Sequence, residues 1–135
     1  MRRMPIKQLA RIRVAALVIA TLAVILFASL NDDVYQATSP LWIPHHVIVR
    51  KLLSIVAFSI GGYVVAIVFG RRRPILLATM AIALLSALIE VLQRIDGSTE
   101  TLLWNAFDVL CGAIGGFIGG VVASWIAIRR PDTEY

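Results

Sequence analysis

Residues 102–128, LLWNAFDVLCGAIGGFIGGVVASWIAI, carry no charged side chain except Asp108 and no carboxamide except Asn105. The hydrocarbon core of a bilayer is ~30 Å thick and takes ~20 apolar residues of helix. This run of 27 residues is long enough to cross with some tilt. It shows none of the period-two alternation of a strand in a membrane barrel.

Three similar runs precede it. Ile75 to about Leu92 is apolar apart from Glu90, and Leu52–Gly70 is uncharged. Val14–Leu30, VAALVIATLAVILFASL, is uncharged over 17 residues. The sequence therefore predicts an all-α polytopic membrane protein, a bundle of four transmembrane helices over about 12–30, 52–70, 74–93 and 102–128. Residues 1–135 make a single membrane domain, with a loop over 31–51.

Composition agrees. Of 135 residues, 59% are hydrophobic and 16% charged, and the mean hydropathy is +0.86. Soluble domains run at about 45–50% apolar and about 25% charged, so the composition argues against a water-soluble globule. The lone Cys111 rules out an internal disulfide, and no paired Cys/His spacing offers a metal site. No metal and no cofactor are expected. Thirteen basic residues against eight acidic ones would suggest nucleic acid in a soluble chain. In a membrane protein the same excess reports topology, and no nucleic-acid partner is expected.

Basic residues before the short first run raise the question of a cleaved signal peptide. Ala28-Ser29-Leu30-Asn31 lacks a small-x-small cleavage site, so this run is read as a retained signal anchor. Arg2, Arg3, Lys7, Arg11 and Arg13 fall on one side of the membrane with Arg71–Arg73, Arg129 and Arg130. Arg50, Lys51 and Arg94 fall on the other, beside Asp32, Asp33, Asp96 and Glu100. The positive-inside rule then expects both termini in the cytoplasm of a cell whose inner membrane holds the bundle. Trp104 and Trp125 would mark the two interfaces, about 31 Å apart at ~1.5 Å per residue.

The connections differ in character. Arg71–Pro74 is a tight hairpin link with Pro74 suited to a first helical turn, and Asp96-Gly97-Ser98 closes the outer hairpin. The 31–51 loop holds Pro40, Trp42, Pro44, His45 and His46, and its apolar stretch is expected along the headgroup layer. The adjacent histidines read as a solvated pair, since a metal needs more ligands than they supply.

Ionised groups within a membrane span usually face the bundle interior, because exposure to lipid costs ~2.5–3.5 kcal/mol at mid-bilayer. Glu90 and Asp108 are such groups, with Asp108 about 9 Å inside the start of its helix. Lys51, at the start of the second helix as drawn here, lies at the same depth. Helical spacing links these positions. Glu90 and Gln93 are i, i+3, with Ala83, Ser86 and Ala87 behind them on one face. Asn105, Asp108, Gly112, Gly115 and Gly119 follow one seam, and Lys51, Ser54, Phe58 and Gly62 follow another. A polar cluster of Lys51, Glu90, Gln93, Asn105 and Asp108 near the outer surface is the expectation.

The strings ALIEVLQ and DVLCGAIGG resemble the VanZ-like family of small bacterial integral membrane proteins over about residues 51–120. That family's pattern is Lys-x-x-His, Glu-x-x-Gln, an outer Arg, and Asp-x-x-x-Asn-x-x-Gly. Lys51, Glu90, Gln93, Asp108 and Gly115 match it. Ser54 replaces the His, Gly112 replaces the Asn, and no Arg lies between Arg94 and Asp108. The resemblance implies ancestry shared with a protein tied to resistance against the glycopeptide teicoplanin. The three departures imply that any shared ligand chemistry is weakened here.

Several readings stay open at this level. Glu90 and Asp108 hold helices in register, handle a ligand or proton, or take part in covalent or hydrolytic catalysis, in that order of preference. Cys111 reads as inert packing. Gly112, Gly116 and Gly120 form one small-residue register on the last helix, and Gly115 and Gly119 another, rotated by about 100°. Gly62, Ala66 and Gly70 add a third on the second helix. One glycine register is expected inside the bundle and the other partly free to admit a further helix.

No Ser/His, Cys/His or HExxH arrangement points to an enzyme. The leading expectation is a non-enzymatic accessory or assembly subunit, bound to other transmembrane helices in a hetero-complex or homo-oligomer and to membrane lipids. The alternative is an envelope or antibiotic-resistance-type protein that engages a lipid-linked cell-wall precursor or a glycopeptide at the outer face.

Overall fold

The computed structural model describes residues 6–31, 33, 34, 37, 46–69, 72–95, 97 and 101–129. Among them the chain is helical and contains no strand. Its long helices are α1 (Ile6–Leu30), α2 (His46–Phe69), α3 (Pro74–Ile95) and α4 (Leu102–Arg129). Three spans are long and apolar enough to cross a membrane: Val47–Phe69, Pro74–Ile95 and Leu102–Arg129. In α1 the apolar part is shorter, Val14–Leu30.

Two helix starts differ from the sequence expectation. The first begins at Ile6 rather than near 12, and the second at His46 rather than 52. The apolar runs alone start each helix where charge ends. Arg and Lys are good helix formers, and their long stems return the charge to an interface, so charge does not stop a helix. Lys51 consequently lies more than a turn inside α2 instead of opening it. The stretch 31–51 is also not one loop, because Asp33, Val34 and Ala37 are helical too. Asn31 caps that turn: its Oδ1 accepts from the backbone N–H of Asp33 at 3.0 Å and of Val34 at 3.1 Å.

The other ends follow local chemistry. Leu77 N–H donates to the Arg73 carbonyl at 3.0 Å, closing the first turn of α3 around Pro74. Gly97 ends α3 with φ 99°, where a side chain would be strained, and its N–H donates to the Arg94 carbonyl at 3.3 Å. Asn105 N–H donates to the Thr101 carbonyl at 3.2 Å at the start of α4. Pro40, Trp42, Pro44, His45, Gly70, Arg71, Asp96, Ser98, Glu100, Arg130 and the first five residues lie outside the described residues.

Glycine decides the packing. A Cβ on Gly62 of α2 would sit 2.8 Å from the Gly116 Cα, so α2 and α4 meet backbone to backbone. On the same flank of α4, a Cβ on Gly119 would run into the Ser59 carbonyl, and one on Gly115 would lie 2.6 Å from the Phe58 Cβ. On the opposite flank the neighbour is α3. A Cβ on Gly112, Gly116 or Gly120 would lie 2.5 Å from the Ser86 Cβ, 2.8 Å from the Ala78 carbonyl and 2.8 Å from the Ile75 Cα respectively. Ala66, Ala78 and Ala123 continue the contact as a buried cluster under Tyr63.

This corrects the expectation of a partly free glycine register. Both registers of α4 are consumed inside the bundle, because α4 lies between two helices and needs a small-residue face for each. In lipid there is no hydrophobic drive to pack helices, so close approach and dispersion carry the association.

Helix α1 is attached differently. It has no glycine, and it lies against α2 and α3 through larger side chains, among the described residues making no packing contact with α4. Leu22, Ile25 and Leu26 pack on the buried cluster of Phe58, Val65 and Ile82. Large apolar side chains such as Phe27, Ile60, Leu84 and Phe117 point outward on all four helices, which suits lipid rather than water.

Candidate functional site

The site lies at the end of the bundle that holds Lys51. Asp108, one and a half turns into α4, faces α2, where Lys51 projects toward it. The Lys51 ammonium and Asp108 Oδ1 form an ion pair, with the two side chains only 16% and 13% exposed. The ammonium also stands 5.8 Å from the centroid of the Trp104 ring, near the start of α4, which adds a cation–π attraction. Trp104 in turn tilts against Phe107, with ring centroids 6.2 Å apart.

Ser86 of α3 fixes Asp108 from the other side. It is 2% exposed, and its hydroxyl donates to the Asp108 backbone carbonyl at 3.0 Å. Gly112, a turn below, leaves the room for that approach. Two acceptors remain without a donor among the described residues: Asp108 Oδ2 and Asn105 Oδ1, both buried. A buried acceptor left in that state carries its full desolvation cost, ~1–3 kcal/mol.

Beside the ion pair is a cavity of about 300 Å³ between α1, α2 and α3, with Asp108 of α4 in its wall. Its polar lining is Ser29, Arg50, Ser54, Ser86, Glu90, Gln93 and Asp108. Val24, Ile25, Ala28, Val34, Leu53, Ala57, Phe58 and Ile89 make the apolar part. The Gln93 amide donates to the Ser29 carbonyl at 2.9 Å and so ties the last turn of α1 to α3 across the cavity. Ser54 donates to the Arg50 carbonyl at 3.0 Å, so its hydroxyl proton is committed within α2.

Of the residues singled out from the sequence, Glu90, Gln93 and Asp108 share this cavity. Lys51 reaches it only through Asp108, and Asn105 lies one turn away on α4. The sequence marks Arg50 only as a topology charge, yet it lines the same cavity. Adjacent residues on a helix point about 100° apart, so Lys51 addresses α4 while Arg50 addresses the space under α1. Nothing in the residue string distinguishes those two directions.

Glu90 stands in the cavity wall, while Asp108 is the carboxylate that pairs with Lys51. No cluster of three His, Cys, Asp or Glu residues suited to a metal occurs among the described residues. At the opposite end of the bundle the Arg129 guanidinium stacks on the Trp125 ring, 3.5 Å from its centroid, far from the cavity along α4. Comparison with protein-family models, with curated proteins and with solved structures finds no match to this chain in any of the three.

Proposed function

We propose that this chain is a non-enzymatic, VanZ-like protein of the bacterial inner membrane that holds the polar end of an amphipathic molecule in its cavity. The observation that carries this reading is the cavity itself: an apolar wall running into Arg50, Glu90, Gln93 and Asp108 within the membrane-spanning helices. Charged residues inside a membrane span are costly and serve a site more often than a scaffold. The volume of about 300 Å³ is at the small end of ligand pockets and fits a head group with its first methylenes. A glycopeptide is too large for it, so of the two ligands in the resistance-type reading the lipid-linked one is preferred.

The proposal includes four spans, with both termini cytoplasmic and the cavity toward the outer face. Its support is the distribution of Lys and Arg, ten against three between the two sides. The resemblance of Lys51, Glu90, Gln93 and Asp108 to the VanZ-like pattern supports a shared binding position. A binding role rather than catalysis fits the hydroxyls nearby, since Ser54 and Ser86 both spend their protons on backbone carbonyls.

The accessory-subunit reading stands second. It drew on a small-residue face turned outward, and that face packs inside the bundle instead.

The test is lipid retention. Full-length protein would be extracted in mild detergent, washed, and examined by native mass spectrometry beside Ala57→Trp, which fills the cavity. The expected result is an amphipathic molecule held by the wild type and lost from the variant. Identical bound species on both proteins would overturn the proposal.

A further inference from the structure

The lining of the cavity restricts what head group it accepts. Arg50, Glu90 and Asp108 are in the wall, and Lys51 is paired to Asp108, so two cations face two anions. A head with net charge would bring an uncompensated charge into a low-dielectric site, which is strongly unfavourable. A head whose own charges cancel avoids that penalty.

Hydrogen-bond capacity narrows it further. The Ser54 hydroxyl donates to the Arg50 carbonyl, the Ser86 hydroxyl to the Asp108 carbonyl, and the Gln93 amide to the Ser29 carbonyl. The acceptors of the wall are the carboxylates of Glu90 and Asp108, the latter with one oxygen on Lys51. An ionised carboxylate can only accept, so a group that satisfies it must donate.

Resting on the reading of this cavity as a binding site, we infer that its ligand is an aminophospholipid, a lipid whose head pairs a primary ammonium with a phosphate. The ammonium donates toward Asp108 and Glu90, and the phosphate lies on the Arg50 side. The first methylenes run along Leu53, Phe58 and Ile89, and the rest of the chains remain in the bilayer. A quaternary ammonium head is also net neutral but has no N–H to give. A phosphoglycerol head has donors but brings a net negative charge.

Competition separates these cases. The full chain in detergent is offered equal amounts of phosphatidylethanolamine, phosphatidylcholine and phosphatidylglycerol with the same acyl chains, and bound lipid is read by native mass spectrometry. Phosphatidylethanolamine is expected at least fivefold above each of the others. Equal retention of phosphatidylcholine would overturn the donor argument, and equal or greater retention of phosphatidylglycerol would overturn the charge argument. Glu90→Gln leaves one positive charge unmatched and is expected to shift the ratio at least fivefold toward phosphatidylglycerol; an unchanged ratio also overturns the inference. Should Glu90→Gln fail to fold, the wild-type competition still decides. Failure of the underlying binding reading looks different, because then no lipid exceeds its level on the cavity-filled Ala57→Trp protein.

Discussion

Ser86 and Gly112 occupy one another's space: a Cβ at position 112 would lie 2.5 Å from the Ser86 Cβ and 2.8 Å from its Oγ. The same serine hydroxyl donates to the Asp108 carbonyl at 3.0 Å, so the contact that admits α3 to α4 also fixes the backbone beneath the ion pair. The space left open at Gly112 is thus filled from the neighbouring helix.

Gly112→Ala is therefore expected to destabilise the bundle by ~1–3 kcal/mol through overpacking. Adding Ser86→Gly should recover part of that loss, since it removes the side chain that Ala would strike. Unfolding in a titration with sodium dodecyl sulfate checks both. A neutral Gly112→Ala variant would contradict the close approach.

The Lys51–Asp108 pair is open to a double-mutant cycle. Removing one partner strands a buried charge, and such losses run to ~3–5 kcal/mol in dry sites. Here both side chains keep some exposure, so the single variants Lys51→Met and Asp108→Leu are expected near the lower end. The combined Lys51→Met, Asp108→Leu protein should lose less than the sum of the single losses. Strict additivity in the same unfolding titration would show that the two residues do not couple.

Fold and site were legible in the sequence to different depths. Apolarity is a local property, so the runs ending in Leu30, Gly70, Leu92 and Ile128 predict helices without knowledge of their neighbours. The cluster around Asp108 was legible for a related reason: an ionised group in such a run must find a partner, and Lys51 lies at its depth. Which way a face turns is not local. Gly115 and Gly116 are adjacent in the chain, yet a Cβ on the first would strike α2 and one on the second α3, and only the position of α4 between those helices uses both. Arg50 was missed on the same ground, since its direction depends on where α1 lies.

Glycine substitution now has a different expected outcome from the one a free face would give. Gly116→Leu and Gly120→Leu should prevent the bundle from forming, because Ala78 and Ile75 stand within 2.8 Å of a Cβ at those positions. Phe117→Leu and Val121→Leu, on the exposed flank of α4, should be close to neutral. Expression level and elution profile in mild detergent compare the four. Well-folded Gly116→Leu protein that has merely lost a partner would restore the free-face argument.

Topology has its own test. With Cys111 replaced by Ala, a single cysteine introduced as Ser98→Cys is expected to react with an impermeant thiol reagent in intact cells, while Arg72→Cys should react only after permeabilisation. The expectation rests on the clustering of Arg71, Arg72 and Arg73 with the basic termini. The opposite labelling pattern would invert the bundle and turn the cavity toward the cytoplasm.

Helix α1 meets Gly61 of α2 only through the side-chain tips of Ile25 and Leu22, without the backbone contacts that lock α4 in place, and its last turn is tied to α3 by the Gln93 amide on the Ser29 carbonyl. Carbonyls in a final turn have no partner within their own helix, so this bond satisfies an orphan acceptor as well as crossing the cavity. Gln93→Leu removes the donor while keeping the bulk. The global cost should be small, ~1 kcal/mol, because one hydrogen bond is lost and Ser29 lies close to a polar wall. The local effect should be larger: amide exchange over residues 24–30 is expected to quicken while exchange in α4 stays unchanged. Hydrogen exchange read by mass spectrometry resolves the two segments. Equal acceleration in α4 would mean that α1 and the glycine-packed core open as one unit, and would remove the distinction between a fixed core and a movable wall over the cavity.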